Sequence, residues 1–246
     1  MKTEQRKNIF QAVVLLAVVG VLFLNALYWR TQKQAAGQGG VTGPSEEAGG
    51  KDMFCLSEVL GSCVRIQAEG HHGSGSIYRF LEDEIIIATN YHVLQYWNED
   101  SYVTFFNGAV GNGSIVTISE QEDVGFLCVQ TAFLSAEELE GLHAVNGSES
   151  SLTRGDTLYM VDIASDVWQP EVYEGQVLEP CRYLEEFQTE MLYGESLFKP
   201  GMSGCGVFDR EGNYVGMLTA GTDQNEIAVV TSNTINEIFH NKNQFT

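Results

Sequence analysis

Positive charge is scarce in this sequence. Lys and Arg account for 13 of its 246 residues and Asp and Glu for 33, and from Asp52 onward 7 basic side chains stand against 30 acidic ones, a net charge of −23. A field of that sign repels the phosphate backbone of nucleic acids and anionic lipid headgroups, while it attracts cationic peptides. We therefore expect no nucleic-acid partner, and we expect the acidic part of the chain to be soluble and to stand off a membrane.

Long hydrophobic runs are also missing, with one exception. Residues 9–29 contain no charged side chain, and at about 1.5 Å per residue a helix of that length spans the roughly 30 Å of hydrocarbon in a membrane. Tyr28 and Trp29 suit the aromatic belt of the interface. A cleaved signal peptide is the alternative, but its apolar region is normally shorter, and residues 25–30 lack small residues at the spacing of a cleavage site. The sequence favours an uncleaved single-pass anchor.

The flanks of this run indicate its orientation and the organisation of the chain. Basic residues slightly outweigh acidic ones before the run, which favours a cytoplasmic N-terminus of residues 1–8 and an anchor at residues 9–29. Residues 30–51 are rich in Gly, Ala and Gln without apolar periodicity, which predicts a flexible linker. Residues 52–246 are enough for one core of ordinary size but not for two full catalytic domains. We place them outside the cytoplasm.

Cysteine is sparse, and its five residues are compatible with an oxidising compartment without proving one. Cys55 and Cys63 lie eight residues apart and could close a small loop. Cys128 and Cys205 lie in apolar, strand-like runs and are expected to be buried thiols. An odd number leaves at least one cysteine free.

The pattern from residue 52 onward predicts an all-β domain of two packed antiparallel β-barrels. Short β-branched or aromatic runs recur between turn residues; they are 63–68, 76–80, 84–89, 101–106, 114–118, 124–130, 157–162, 172–178, 206–208, 214–219 and 227–230. Two helices are predicted. Residues 135–142 have an acidic first turn after Ser135, and the C-terminal helix 234–240 begins with Thr234 and Glu237 as a capping box.

The most informative stretch is Pro-Gly-Met-Ser-Gly-Cys-Gly at residues 200–206. A serine hydroxyl is a poor nucleophile unless a neutral imidazole lies within hydrogen-bond reach, and the imidazole needs a carboxylate on its other nitrogen. His92 follows a buried apolar strand, and Asp123 begins another. Gly201 lacks a side chain, so the backbone N–H groups of residues 201 and 203 can point at one spot, where a tetrahedral oxyanion would form.

Each of these residues has an ordinary structural interpretation when it is taken alone. A histidine at the end of a strand is commonly a satisfied surface or core residue, and Asp123 stands in an acidic turn at residues 120–123. His92, Asp123 and Ser203 also occur in the chain order of a triad. If each had only its ordinary structural role, this arrangement would require three coincidences. The combination therefore predicts a catalytic triad.

Several motifs resemble those of the HtrA/Deg group of trypsin-like serine proteases, over roughly residues 60–240. The similar segments are Gly-Ser-Gly-Ser-Ile at 73–77, Thr-Asn-Tyr-His-Val at 89–93, Asp-Val-Gly-Phe-Leu at 123–127, the run ending in Leu-Thr-Arg-Gly-Asp at 147–156, Pro-Gly-Met-Ser-Gly at 200–204, Tyr-Val-Gly-Met-Leu-Thr-Ala at 214–220 and Ser-Asn-Thr-Ile at 232–235. The resemblance implies a chymotrypsin-like fold, cleavage of polypeptides through an acyl-enzyme intermediate, and no cofactor or metal.

The resemblance also implies a role for each matching residue. Ser203 is the nucleophile, His92 the general acid and base, and Asp123 the orienting carboxylate. The oxyanion donors are the amides of Gly201 and Ser203. The residues implied to bind substrate or support the triad are Leu197 at the base of the S1 pocket, Thr219 against the buried Asp, and Gly221 beside a substrate paired as an added strand. An apolar Leu197 favours aliphatic or small aromatic side chains at the cleaved position.

Three features depart from the group's pattern. Met202 replaces the usual Asn or Asp before the serine, which excludes activation by a new N-terminus pairing with that acid and puts a preformed oxyanion loop in question. Cys205 replaces a glycine in a tight place. The sequence after residue 240 leaves no room for the PDZ domain that such proteases usually carry.

The sequence leaves two other functions open. Cys205 as the nucleophile is disfavoured, because Ser203 would then occupy the position of the oxyanion glycine. A catalytically silent trypsin-like domain that binds peptides or senses envelope stress is the alternative from another class. The prediction is a serine endopeptidase anchored in the cell membrane through residues 9–29, with its substrate and oligomeric state undetermined.

Overall fold

The computed structural model describes residues 54–147 and 151–242, whose regular structure is mostly β-strand. The thirteen strands are β1 Cys63–Ala68, β2 His71–Phe80, β3 Glu84–Thr89, β4 Tyr102–Phe105, β5 Val110–Gly111, β6 Gly113–Ser119, β7 Val124–Gln130, β8 Thr157–Asp162, β9 Glu171–Leu184, β10 Thr189–Glu195, β11 Gly206–Phe208, β12 Tyr214–Gly221 and β13 Glu226–Thr231. The α-helices are α1 Leu56–Val59, α2 Tyr91–Leu94, α3 Ala136–Leu139 and α4 Ser232–Lys242; Leu60–Ser62 and Thr131–Phe133 form 3₁₀ turns. The all-β prediction is confirmed.

The strands form two antiparallel sheets. The first has seven strands in the order β5-β4-β1-β2-β3-β7-β6, and the second is a closed barrel in the order β10-β13-β12-β11-β8-β9. The prediction of two barrels is therefore correct for the second sheet and wrong for the first, which stays open. One edge strand of the first sheet, β5, has only two residues, and the other, β6, pairs with β7 alone. A two-residue strand offers too few hydrogen bonds to close the ring.

Three apolar clusters hold these sheets together. One lies in the first sheet, one fills the barrel, and the third lies between the sheets and beneath α4. Strand β3 contributes to two of them because alternate side chains point to opposite faces. Ile85 and Ile87 pack within the first sheet, while Ile86 and Ala88 pack toward the barrel. Each isoleucine is at most 2% exposed, and burying such a side chain contributes about 1.5–3 kcal/mol.

Helix α4 packs through residues at helical spacing. Ile235, Ile238 and Phe239 are buried in the cluster between the sheets, as expected for residues spaced by three and four on an α-helix. The predicted capping box at Thr234 is wrong, because the helix begins two residues earlier. The amide of Thr234 instead donates 3.3 Å to Oγ1 of Thr231.

The other differences from the sequence prediction are local. Strand β10 falls in a segment predicted as a connection, and β9 continues six residues past its predicted end. Helix α3 is shorter than predicted, although Ser135 caps it in a capping box with Glu138. All five cysteines are free, so the loop considered between Cys55 and Cys63 does not close.

The N-terminal segments predicted from the sequence lie outside the described residues. This applies to the cytoplasmic stretch 1–8, to the anchor 9–29 and to the linker 30–51. Within residues 54–147 and 151–242, no helix is long and apolar enough to cross a membrane.

Candidate active site

The predicted general base lies in α2, directly after the buried strand β3. The ring of His92 donates a hydrogen bond of 2.8 Å from Nδ1 to Oδ2 of Asp123, and its backbone N–H donates one of 2.9 Å to Oδ1 of the same carboxylate. The side chain of His92 is 43% exposed and that of Asp123 only 8%. The carboxylate therefore holds the imidazole proton on Nδ1, which leaves Nε2 able to accept one.

The backbone of Asp123 is held in an uncommon conformation. Its φ of 54° lies in the left-handed region, which Asp tolerates better than most residues. Its carbonyl accepts hydrogen bonds from Nδ2 of Asn90 at 3.0 Å and from the amide of Tyr91 at 3.2 Å. Asn90 is fully buried, and its Nδ2 also donates 2.9 Å to Oγ1 of Thr219. Thr219 on β12 is thus linked through Asn90 to the aspartate.

The loop of Ser203 meets the first sheet beside the histidine. The three segments meet at Gly73. A Cβ on this glycine would lie 2.8 Å from a methyl group of Val93 and 3.3 Å from the carbonyl oxygen of Ser203. Val93 is the neighbour of His92 in α2. The chain fold therefore brings the three sequence-predicted residues of the triad to one side of β2.

Ser74, in β2, fixes two carbonyl groups of this loop. Its amide donates 2.8 Å to the carbonyl of Ser203, and its Oγ donates 3.0 Å to the carbonyl of Gly201. The next amides along the chain are also held: that of Met202 donates 3.1 Å to the carbonyl of Lys199, and that of Gly204 donates 2.8 Å to a carbonyl of β12. The peptide groups 201–202 and 203–204 are thus each held by two hydrogen bonds, one at the carbonyl and one at the amide.

The remaining amides of the loop are those predicted to bind an oxyanion. Within the described residues, neither the N–H of Gly201 nor that of Ser203 donates a hydrogen bond. Gly201 has φ 95°, and a Cβ there would lie 2.7 Å from Nε2 of His72. Only glycine combines this backbone conformation with so close a neighbour. These two amides therefore remain available to donate to a ligand.

The hydroxyl of Ser203 makes no hydrogen bond to His92 in the described part of the chain. Ser203 is half-buried. Catalytic hydrogen bonds are often long or poorly aligned without substrate and tighten when substrate binds. Ser203 thus lies on the same side of β2 as α2, without a hydrogen bond to His92.

Met202 and Cys205, the two unusual residues, are both buried in the barrel core. Met202 is fully buried and its Sδ accepts a hydrogen bond of 3.2 Å from the amide of Lys199. Met202 therefore anchors the loop to apolar surroundings rather than to a charge. Cys205 is 1% exposed, and burial raises the pKa of its thiol well above the usual value. A thiol in that state is a poor nucleophile.

The residues predicted to bind substrate occupy two different places. Gly221 ends β12 and contacts the side chain of Phe198, since a Cβ on Gly221 would lie 2.3 Å from Cβ and Cγ of Phe198. Leu197 is 56% exposed and lines a cavity of about 420 Å³ with residues of β9, β10 and the β12–β13 turn. That cavity includes neither Ser203 nor Gly221.

A second cavity, of about 600 Å³, opens beside the histidine. It lies between α2, the turn before β7 and the tip of the β9–β10 hairpin. Glu120 and Glu186 line it, together with Tyr91 and Phe187, and it carries no Lys or Arg. The hydrogen bond to Glu120 raises the pKa of Tyr91.

Residues 61–217 match the profile of the trypsin-like peptidase domain family. The chain belongs to that family. Its described part is accordingly a trypsin-like serine protease domain, as the resemblance found in the sequence implied.

Two solved structures show how far the trypsin-like fold is shared. Deg5 is 22% identical, with a TM-score of 0.58, and the match covers 74% of this chain and 88% of that one. Rv3671c from M. tuberculosis H37Rv, a serine-to-alanine variant in an inactive form, is 13% identical with a TM-score of 0.60 over 78% of this chain and 91% of that one. No curated protein matches the chain significantly.

Three residues that position the site of this trypsin-like domain carry no signal of their own in the sequence. Ser74 and Asn90 stand inside motifs that predicted the fold, but their hydrogen bonds to residues 201, 203 and 123 depend on distant strands. Phe198 precedes the serine loop in a segment where Leu197 was expected to line the pocket. The packing of Phe198 on Gly221 shows which of these two residues lies beside β12.

Proposed function

We propose that this chain is a membrane-anchored serine endopeptidase that cleaves polypeptides outside the cytoplasm. The observation that carries the proposal is the pair His92–Asp123 beside a loop whose amides at Gly201 and Ser203 are free while its other peptide groups are fixed. A base with an oriented ring and a preformed pair of donors are what acyl transfer requires.

The reaction follows from this geometry. Oγ of Ser203 attacks the carbonyl carbon of the peptide bond, while its proton passes to Nε2 of His92. The carboxylate of Asp123 stabilises the imidazolium that forms, and the amides of Gly201 and Ser203 stabilise the oxyanion. The imidazolium then gives its proton to the leaving amine as the C–N bond breaks, which leaves an acyl-enzyme. Water, deprotonated by His92, releases the acyl group by the same steps.

The substrate backbone has an edge to pair with. Strand β12 pairs with β13 as far as Gly221 but with β11 only as far as Met217. The edge at residues 219–221 therefore faces no other strand among the described residues. An extended peptide can add to such an edge through main-chain hydrogen bonds, and this edge continues past the loop that carries Ser203.

A fluorophosphonate probe tests the proposed activity. We expect the full-length protein to be labelled at Ser203, as located by mass spectrometry of the digested protein, because only an activated serine beside an oxyanion hole reacts rapidly with such probes. A silent peptide-binding domain is the competing function, because it needs the edge of β12 but no activated serine. An unlabelled protein would support that function, and labelling at Cys205 would contradict the assignment of the nucleophile.

The membrane topology gives a separate prediction. A protease added outside intact cells, or to right-side-out vesicles, is expected to release the folded domain by cutting within residues 31–51, because these polar residues follow the uncharged run at 9–29. The released fragment is identified by its new N-terminus. If cleavage occurs only after lysis, the domain lies in the cytoplasm and the proposed orientation is inverted.

A further inference from the structure

The residue whose carbonyl is attacked has one place for its side chain in this site. If the proposed function holds, its carbonyl oxygen lies at the amides of Gly201 and Ser203, and its backbone pairs with the edge of β12 at residues 219–221. Its side chain then enters the space between that edge and the segment 197–200, which leads into the serine loop. The group that occupies this space decides which substrates fit.

Phe198 occupies this space. Its side chain is half-buried and packs on the apolar core of the barrel. On its other side it lies against Gly221: a Cβ on that glycine would be 2.3 Å from Cβ and Cγ of Phe198 and 2.9 Å from its Cδ1. Because the space beside Gly221 cannot take even a Cβ, no gap remains between the ring and the edge of β12. A bulky substrate side chain therefore cannot lie there unless the ring moves.

Leu197 does not compete for this position. Its side chain is 56% exposed and faces the separate cavity of about 420 Å³ that includes Glu174, Gln176 and Asn225. Phe198 packs on the barrel core and against Gly221, whereas Leu197 is largely exposed. The two neighbours thus form a matched pair, one inside the pocket and one outside it.

We propose that Phe198 determines the specificity of the protease by filling the pocket for the side chain at the cleaved position. The enzyme then cleaves after small residues such as Gly, Ala and Ser. Larger aliphatic residues are accepted only at the cost of turning the ring away from Gly221. A cationic side chain is disfavoured in either case, since it would lose hydration in an apolar pocket.

Peptides that differ only at the cleaved position test this role. For the wild-type protein we expect kcat/KM to be about tenfold or more higher for Ala than for Leu, because rejecting extra methylene groups in a full pocket is worth a factor of that size or larger. Phe198→Ala is expected to reverse the preference toward Leu by at least about tenfold, and Phe198→Leu to give an intermediate ratio. Leu197→Ala is the matched control and is expected to leave the ratio unchanged.

The contact itself is tested by a double-mutant cycle. Gly221→Ala alone is expected to impair cleavage, since its new Cβ collides with Cβ and the ring of Phe198, and Phe198→Gly in the same chain, which removes all of these atoms, is expected to restore cleavage. Additive effects of the two substitutions would overturn the proposed contact. A wild-type preference for Leu over Ala, or a ratio that Phe198→Ala does not change, would overturn the proposed role.

Failure of this inference is distinguishable from failure of the proposed function. A small fluorophosphonate needs no side chain in the pocket, so it reports on Ser203 alone. If the wild type and both Phe198 variants are labelled while the Ala-to-Leu ratio stays the same, only the role of Phe198 is wrong. If the wild type is not labelled, the protease function itself is contradicted. Strong preference for Lys that survives about 0.5 M salt, where surface attraction is screened, would show an acid in the pocket and overturn the inference.

Discussion

Replacing Ser203 by Ala is expected to lower the rate of peptide cleavage by about 10⁶-fold, because the reaction loses the only group that forms the acyl-enzyme. The fold should be unaffected. The hydroxyl of Ser203 has no hydrogen-bond partner among the described residues, and the hydrogen bond from the amide of Ser74 goes to the backbone carbonyl of Ser203. The measurement is kcat/KM on one peptide, with the melting temperature recorded for both proteins.

A second substitution separates the two candidate nucleophiles. Cys205→Ala is expected to retain labelling and most of the activity, because the buried thiol takes no part in the reaction. Since this change removes a buried atom from the barrel core, a modest fall in melting temperature is expected with it. Activity that survives in Ser203→Ala and disappears in Cys205→Ala would exchange their roles.

Much of the fold was predictable because the strands carry local signals. The boundaries of β1, β3, β7, β8 and β11 are those predicted, since each is an apolar or β-branched run between turn residues. Strand β10, with the sequence Thr-Glu-Met-Leu-Tyr-Gly-Glu, has a glutamate near each end and a glycine, which are unfavourable in strands. Its neighbours β9 and β13 supply the pairing that its own residues do not predict.

The number of closed sheets was not predictable, because closure depends on how the edge strands β5 and β6, one residue apart in the chain, are placed by their pairing with β4 and β7. Motif and chain order predicted the residues that we propose as the triad, but they did not predict the hydrogen bonds that hold those residues in place. Met202 illustrates the limit: its sequence position put the oxyanion loop in question, whereas Ser74 and the apolar core hold that loop without an acid. Leu197 and Phe198 illustrate the same limit. The sequence predicted that Leu197 lines the pocket, but Leu197 is exposed, and its neighbour Phe198 packs on the barrel core and Gly221.

Asp123→Asn is expected to lower kcat by about 10⁴-fold with little change in the fold, because it reverses the tautomer of the histidine. The two oxygens of the carboxylate accept from two donors of one residue, the backbone N–H and the ring Nδ1–H of His92. An asparagine has one oxygen and one NH₂ group. The backbone N–H cannot change its role, so it takes the oxygen, and the NH₂ faces Nδ1.

The consequence for His92 is a proton on the wrong nitrogen. With Nδ1 accepting from the new amide, the neutral ring carries its proton on Nε2 and cannot receive the proton of Ser203. Asparagine also suits the φ of 54° at this position, so the loss is expected without the backbone strain that Ala would add. The measurement is the kcat of the variant and its rate of fluorophosphonate labelling, with Asp156→Asn as the same chemical change outside the site. A kcat within about tenfold of wild type would mean that the carboxylate holds the loop but not the tautomer, and that the proton leaves Ser203 by another route.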